Sequence, residues 1–218
     1  MVPTKSLLFT TILSTALALP TPSPQQQEST DYTITPNQII RIAPTTVACP
    51  RDLPYLSECA DAKTAAPALT AAFEKYNITS PNTRAALIAT MIYESGSFRY
   101  NHNHFPAPGR PGQGTRNMQM ATYNEKYATD LFGAAAVAKA KEVGTQEAVE
   151  DRVLALVQGD EESFGSAAWL LKGCDASIEE GLATGEMSGW DAYLTECIGT
   201  EHGEDRDVAW EKAKEVLA

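Results

Sequence analysis

Downstream of Cys49, hydrophobic residues recur with a helical period, and the prolines and glycines that break helices are widely spaced. This periodicity is typical of helices with a buried face, whereas the alternation typical of strands is nearly absent. Capping residues mark the ends of most of these segments. We predict helices at Pro67 to Tyr76, Pro81 to Ser95, Ala121 to Phe132, Ala134 to Glu142, Gln146 to Val157, Glu161 to Lys172, Ser177 to Leu182, Gly189 to Ile198 and Asp205 to Leu217. The fold class that we expect is therefore all-α.

One long segment, Ser97 to Asn117, interrupts the helical pattern. It is rich in glycine, proline, histidine and asparagine, and we expect an irregular connection with room for a small hairpin. Long loops without regular structure inside a compact domain are usually functional. The sequence therefore predicts a functional site along this loop.

The first 18 residues have the pattern of a secretory signal peptide. Lys5 precedes an apolar run from Ser6 to Leu19, and Ala16-Leu17-Ala18 is a small-x-small cleavage site. An uncleaved membrane anchor is the alternative, but the run is shorter than the about 20 residues that a spanning helix needs. We therefore expect a secreted, extracellular protein.

Residues 19–48 are rich in proline, glutamine, threonine and serine, and are predicted as a linker or pro-segment. Gln38 to Ile42 is predicted as a short extended stretch that packs on the domain, with its length limited by Pro36 and Pro44. We expect residues 49–218 to form one catalytic domain.

The charge balance disfavours two classes of partner. The 218 residues include 17 Lys and Arg against 28 Asp and Glu, which gives a formal net charge of −11. Binding to phosphate groups needs a basic face, so we expect neither nucleic acid nor membrane as a partner. The expected oligomeric state is a monomer.

The four cysteines form an even set in a chain with an export signal, which favours disulfides over metal ligands. Three connectivities are possible, and we favour the local one, in which Cys49 pairs with Cys59 and Cys174 with Cys197. Asn77-Ile78-Thr79 is an acceptor sequence for N-glycosylation, so we expect Asn77 at the surface.

The candidate for catalysis is Glu94, in the last turn of the predicted helix Pro81 to Ser95. Ser80 is a typical N-cap and Pro81 a typical first residue, and the helix is apolar nearly all round, which predicts a central, buried position. Burial and the helix dipole would both raise the pKa of Glu94. A carboxyl group that is protonated near neutral pH can act as a general acid and donate its proton to a glycosidic oxygen. The alternative is a solvated residue of an ordinary last turn.

Two motifs resemble the goose-type lysozymes and lytic transglycosylases of the lysozyme-like superfamily. They are Glu94-Ser95-Gly96-Ser97-Phe98 and, after the loop, Gly112-Gln113-Gly114-Thr115-Arg116-Asn117-Met118-Gln119. The resemblance implies that Glu94 is the catalytic acid, that Ser95 lies beside it, and that Met118 and Gln119 form the floor of the substrate cleft.

A later segment, Gly165 to Trp169, resembles the helix whose aromatic residue closes that cleft. Arg116, Asn117 and Leu170 depart from the pattern of the superfamily. Tyr123 is a further candidate for substrate binding, because aromatic rings stack on sugar faces, although such rings equally suit a core.

No Asp or Glu lies between Glu94 and Asn124, so the loop supplies no second catalytic carboxylate. Glu125 and Asp130 are the next candidates along the chain. We therefore favour a single-acid mechanism, in which an N-acetyl group of the substrate acts as the internal nucleophile.

His102 and His104 form a His-x-His pair that could hold a metal ion. Zinc needs three or four protein ligands, the only other histidine is His202, and the cysteines are committed to disulfides. We therefore expect no metal and no cofactor.

Together these features predict a secreted glycosidase acting on a β-1,4-linked aminosugar polymer, with peptidoglycan as first and chitin as second candidate. A β-mannan is an alternative substrate, because fold does not determine substrate. A non-catalytic secreted glycan-binding or effector protein is the alternative from another class.

Overall fold

The computed structural model describes Met1 and residues 33–218, which are mainly helical and contain no regular strand. The predicted all-α fold class is thereby confirmed. The helices are α1 Pro36–Ile42, α2 Ala62–Lys75, α3 Pro81–Glu94, α4 Ala121–Phe132, α5 Ala134–Ala140, α6 Gln146–Ala155, α7 Asp160–Lys172, α8 Ala176–Thr184, α9 Met187–Ala192 and α10 Glu204–Leu217. Short 3₁₀ helices occupy Pro44–Val47 and Leu56–Glu58, and a π-helical segment, Tyr193–Ile198, follows α9.

Helix α3 lies at the centre of the fold, as its sequence predicts. The Ser80 hydroxyl accepts a hydrogen bond from the amide of Thr83, and Pro81 is the first helical residue. Every residue from Thr83 to Ile92 is buried. Helices α7, α8 and α10 pack around it, so Glu94 lies at the end of a helix fixed on several sides.

Two hydrophobic clusters hold the helices together. The larger contains residues of α1, α2, α3, α7, α8 and α10, with the stacked rings of Trp190 and Trp210 5.3 Å apart. The smaller joins α4, α5 and α6, and Tyr76 packs against both clusters. Trp169 packs against the smaller cluster through its contact with Tyr127.

The predicted extended conformation of residues 38–42 is wrong, because these residues belong to a helix. Thr35 and Gln38 form a reciprocal capping box, and Pro36 occupies the first helical position, where a proline amide is not needed. Ile39 and Ile42 enter the main core. Residues 33–48 are therefore part of the domain, which corrects its predicted start at residue 49, whereas residues 19–32 lie outside the described residues.

Helix α2 begins five residues before its predicted start at Pro67. Asp61 caps it by accepting a hydrogen bond from the amide of Thr64, and Pro67 lies inside the helix. Burial of Ala62, Ala65 and Ala66 compensates for the backbone hydrogen bond that the proline cannot donate.

The predicted local disulfide pairing is confirmed: Cys49 is bonded to Cys59, and Cys174 to Cys197. Asn77 is exposed, as the glycosylation prediction requires. No helix within residues 33–218 is long and apolar enough to cross a membrane. Apart from Met1, the predicted signal peptide lies outside the described residues.

Candidate functional site

Glu94 is the last residue of α3, and its side chain is 20% exposed. One carboxylate oxygen, Oε1, lies 2.7 Å from Nη2 of Arg206 in the first turn of α10. The guanidinium group also lies 4.0 Å from the centroid of the Tyr93 ring. The end of α3 and the start of α10 are therefore joined by an ion pair and by a cation–π contact.

The arginine changes the electrostatics expected for Glu94. A guanidinium group 2.7 Å from Oε1 offsets the negative charge of the carboxylate and of the helix end. Nothing in the sequence near Glu94 indicates Arg206, which lies more than a hundred residues further along the chain. The partner follows only from the packing of α10 along α3.

Tyr193 is a second neighbour of Glu94 that sequence reasoning missed. It is fully buried at the start of the π-helical segment. Burial raises the pKa of Tyr193, and the negative charge of Glu94 acts in the same direction. Tyr193 is therefore a neutral phenol beside the carboxylate at neutral pH.

Two predicted substrate-binding residues, Tyr123 and Trp169, line one cleft of about 460 Å³. Tyr123 comes from α4 and Trp169 from α7. The Trp169 indole Nε1 donates to Oδ2 of Asp130 at 2.9 Å, which fixes the ring. The cleft wall also includes Lys126, Leu170, Lys172, Gly173, Cys174, Glu196 and Cys197.

The π-helical segment connects this cleft to the surroundings of Glu94. Tyr193, at its start, interacts electrostatically with Glu94, and Glu196, three residues later, lines the cleft. The Cys174–Cys197 disulfide ties the same segment to the end of α7. Glu94 is not among the residues that line the cleft itself.

Three other predicted site residues, Ser95, Met118 and Gln119, are buried. The Ser95 hydroxyl donates to the carbonyl of Met91 and accepts from the amide of Phe98 at 2.9 Å. Met118 and Gln119 therefore present little surface to a substrate, and their role as a cleft floor stays a prediction. Ser95 holds the turn after α3 rather than facing solvent.

Gln119 belongs to a network of buried amides that shapes the loop. Its Nε2 donates to Oδ1 of Asn124 at 2.8 Å, and the Asn124 amide donates to the carbonyl groups of Gly112 and Gln119. Asn117 accepts hydrogen bonds from the hydroxyls of Thr115 and Ser166. These contacts dock the end of the loop on α4 and α7.

Arg116 organises the beginning of the same loop. It is almost completely buried and donates to the carbonyl groups of Phe98, Tyr100 and Glu58. Burial lowers the pKa of Arg116 to about 10, and Asp160, 3.6 Å away, opposes this shift. A cationic side chain thus supplies hydrogen bonds that an irregular backbone cannot make for itself.

Glu125 and Asp130, the two candidates for a second catalytic carboxylate, differ in their surroundings. Glu125 is exposed and pairs with Lys141 at 2.9 Å, as a solvated helix residue does. Asp130 holds Trp169 and lines the cleft. Of the two, Asp130 is the one that could meet a ligand bound there.

Comparison with known proteins gives one relative. Over 156 residues, the chain is 36% identical to a bifunctional dioxygenase–epoxy alcohol synthase from Fusarium oxysporum. The matched region covers 69% of this chain but only 12% of that protein. No family model and no solved structure matches the chain.

Proposed function

We propose that the protein is a lysozyme-like glycosidase that cleaves a β-1,4-linked aminosugar polymer, with peptidoglycan as first and chitin as second candidate. The observation that carries this proposal is the position of Glu94. It is the last residue of the buried central helix, and its side chain reaches the surface just ahead of the long loop. The resemblance of the residues around Glu94 and Gln119 to goose-type lysozymes and lytic transglycosylases supports the same proposal.

In the proposed reaction, Glu94 donates a proton to the glycosidic oxygen as the bond from that oxygen to the anomeric carbon breaks. The carbonyl oxygen of a substrate N-acetyl group attacks the anomeric carbon and stabilises the positive charge. The Glu94 carboxylate then takes a proton from water, or from a hydroxyl of the same sugar, as that oxygen displaces the acetamido group. Water yields a new reducing end, whereas the internal hydroxyl yields an anhydro-sugar.

Tyr123 and Trp169 supply the sugar-binding surface in this scheme. Trp169 is held by Asp130, so its ring is ordered before a ligand binds. Ordered aromatic rings bind sugar faces at a small entropic cost. Asp130 acts here as a positioning residue rather than as a second catalytic carboxylate.

Arg206 favours a second candidate, a secreted protein that binds a glycan without cleaving it. The arginine holds the carboxylate oxygen Oε1 of Glu94 in an ion pair at 2.7 Å, so this oxygen is not free to meet a glycosidic oxygen. Catalysis requires that substrate binding separates the pair. A glycan-binding protein has no such requirement.

The activities in the name of the Fusarium oxysporum relative are not part of this proposal. The matched region is 12% of that protein, and the two activities in its name belong to the whole chain. We therefore propose no dioxygenase or epoxy alcohol synthase chemistry for these residues.

The test is mass spectrometry of products from chitin oligosaccharides, peptidoglycan fragments and β-mannan oligosaccharides, with binding measured in parallel by calorimetry. Cleavage of an N-acetylated polymer supports the proposal, and the product mass separates hydrolysis from anhydro-sugar formation. Binding without products would identify the non-catalytic alternative. Cleavage of mannan alone would exclude a substrate-assisted reaction, because mannan has no N-acetyl group.

A further inference from the structure

Three side chains with metal-ligating atoms converge beside the long loop: Glu58, His102 and His104. One candidate ligand atom from each lies within 4.8 Å of the other two. The carboxylate comes from the 3₁₀ helix Leu56–Glu58, more than forty residues before the histidines. The sequence showed only the His-x-His pair, so the third ligand that zinc requires could not be identified from it.

The cluster is ordered by contacts outside the three side chains. His104 Nε2 lies 2.8 Å from Oε1 of Glu58, while the other oxygen, Oε2, accepts from the amide of Asn101 at 3.2 Å. The ring of Tyr55 stacks on His104 with the centroids 3.6 Å apart. The Cys49–Cys59 disulfide fixes the residue next to Glu58. Little rearrangement is needed to bring three such fixed groups onto one ion.

The electrostatics and solvent access suit a cation. The three side chains are 27%, 20% and 15% exposed for His102, His104 and Glu58, so an ion can enter and keep a water ligand. Outside the cluster, Oδ1 of Asp151 lies 3.3 Å from Nε2 of His102. A carboxylate on one imidazole nitrogen orients the ring and strengthens the other nitrogen as a ligand, so the metal-binding nitrogen of His102 in this arrangement is Nδ1.

We propose that Glu58, His102 and His104 form a zinc-binding site that clamps the long loop to the disulfide-closed segment before α2. Two imidazoles and one carboxylate are a ligand set for Zn²⁺ and similar transition metals, whereas Ca²⁺ and Mg²⁺ prefer oxygen ligands alone. Ligands at about 2.0–2.2 Å from zinc in tetrahedral geometry lie about 3.3 Å from each other, so a separation within 4.8 Å contracts by at most about 1.5 Å. The ion enters between His104 Nε2 and Glu58 Oε1, which lie 2.8 Å apart.

Isothermal titration with ZnCl₂ at pH 7.5 tests the site on tag-free protein stripped with EDTA and dialysed. We expect one Zn²⁺ per chain and a rise in melting temperature. The variants His104→Gln and Glu58→Gln keep hydrogen-bonding side chains but should bind at least about 100-fold more weakly, and Asp151→Asn about 10–100-fold more weakly. Circular dichroism reports whether each variant is folded.

His202→Ala is the matched control. His202 also has carboxylate neighbours, with Nδ1 3.2 Å from Asp207 and Nε2 4.0 Å from Asp191, but it belongs to a different part of the fold. We expect this variant to bind zinc like the native chain. Loss of binding in His202→Ala together with normal binding in His104→Gln would overturn the assignment, as would a native chain that binds no zinc.

A measurement on the native chain removes any dependence on folding of the variants. The protein has three histidines, so their ring-proton NMR signals can be assigned individually. Zinc should shift the signals of His102 and His104 and leave those of His202 in place. A shift confined to His202, or no shift at all, would contradict the proposed site.

Discussion

At the scale of single residues, the ion pair between Glu94 and Arg206 decides how the candidate acid behaves. The two side chains are only 20% and 13% exposed, so water screens their attraction less than in a surface pair. The pair holds the Glu94 carboxyl group, while the proposed reaction needs this group free to reach the glycosidic oxygen. Any glycosidase activity should therefore respond to the removal of Arg206.

Arg206→Met should raise the rate of cleavage of chitin oligosaccharides at neutral pH, because it releases the Glu94 carboxyl group from the ion pair. Methionine keeps part of the packing on Tyr93 but carries no charge. We expect an increase of about two- to tenfold at neutral pH, equivalent to about 0.4–1.4 kcal/mol. Lys212→Met, on the same helix and paired with exposed Glu215, is the control. An unchanged rate in the Arg206 variant would show that the ion pair does not limit cleavage.

Gln119→Ala should reduce stability rather than substrate affinity. The buried amide donates to Asn124, and its loss leaves a polar network incomplete at a cost of about 1–3 kcal/mol. Urea unfolding measures this loss, with the exposed Gln146→Ala expected to stay within about 0.5 kcal/mol of the native chain. A raised KM with unchanged stability would instead place Gln119 in contact with substrate, as the resemblance implies.

The sequence predicts which residues end the central helix, but not what they contact. Glu94 could be located because capping, Pro81 and the apolar run all indicate one helix with one end. Arg206 and Glu58 could not be found, since each reaches its partner through tertiary packing between distant segments. Burial of Gln119 also depends on tertiary packing, because its side chain donates a hydrogen bond to Asn124 of α4.

At the scale of helices and loops, most boundaries follow from local chemistry. Caps such as Ser80 and Thr145 accept hydrogen bonds from the first turns of α3 and α6, where the sequence predicts helix starts. The two largest errors, at α1 and at the start of α2, both come from prolines taken as boundaries, Pro36 of an extended stretch and Pro67 of a helix. Pro36 begins a helix, and Pro67 is tolerated inside one whose neighbouring alanines are buried.

The double variant Cys174→Ser/Cys197→Ser should lower the free energy of unfolding by about 3 kcal/mol. Without the disulfide, the segment between the two cysteines regains conformational freedom in the unfolded chain. The bonded cysteines are 23 residues apart, against 10 for Cys49 and Cys59, so the corresponding variant of the shorter loop should lose slightly less. Urea unfolding measures both losses. Equal stability of the native chain and both variants would contradict this estimate.

At the scale of the whole molecule, two disulfides within the described residues agree with an exported protein, and the strong negative charge constrains its substrate. The formal net charge is −11, and bacterial walls are largely anionic. Repulsion acts over a Debye length of about 8 Å at physiological ionic strength. A neutral chitin oligomer is not repelled, so the salt dependence of cleavage distinguishes it from bacterial walls.

Added salt should move the pH optimum on walls upward and leave the profile on neutral oligomers unchanged. At low salt, wall cleavage should be fastest in mild acid, towards the pI of about 4.7, where the repulsion fades. Turbidity loss of walls and product release from oligomers, each measured at low and physiological salt, test this difference. An optimum on walls above about pH 8 at low salt would contradict the electrostatic account.

Replacement of Glu94 by glutamine tests whether this residue is the catalytic acid. The amide is nearly isosteric and can still accept a hydrogen bond from Arg206, but it cannot donate a proton to a glycosidic oxygen. Cleavage of chitin oligosaccharides should fall by about 10²–10⁴-fold, while the melting temperature and circular dichroism stay close to those of the native chain. Glu125→Gln, which removes an exposed carboxylate paired with Lys141, should cleave at the native rate. A folded Glu94→Gln protein that retains more than half of the native rate would exclude Glu94 as the catalytic acid.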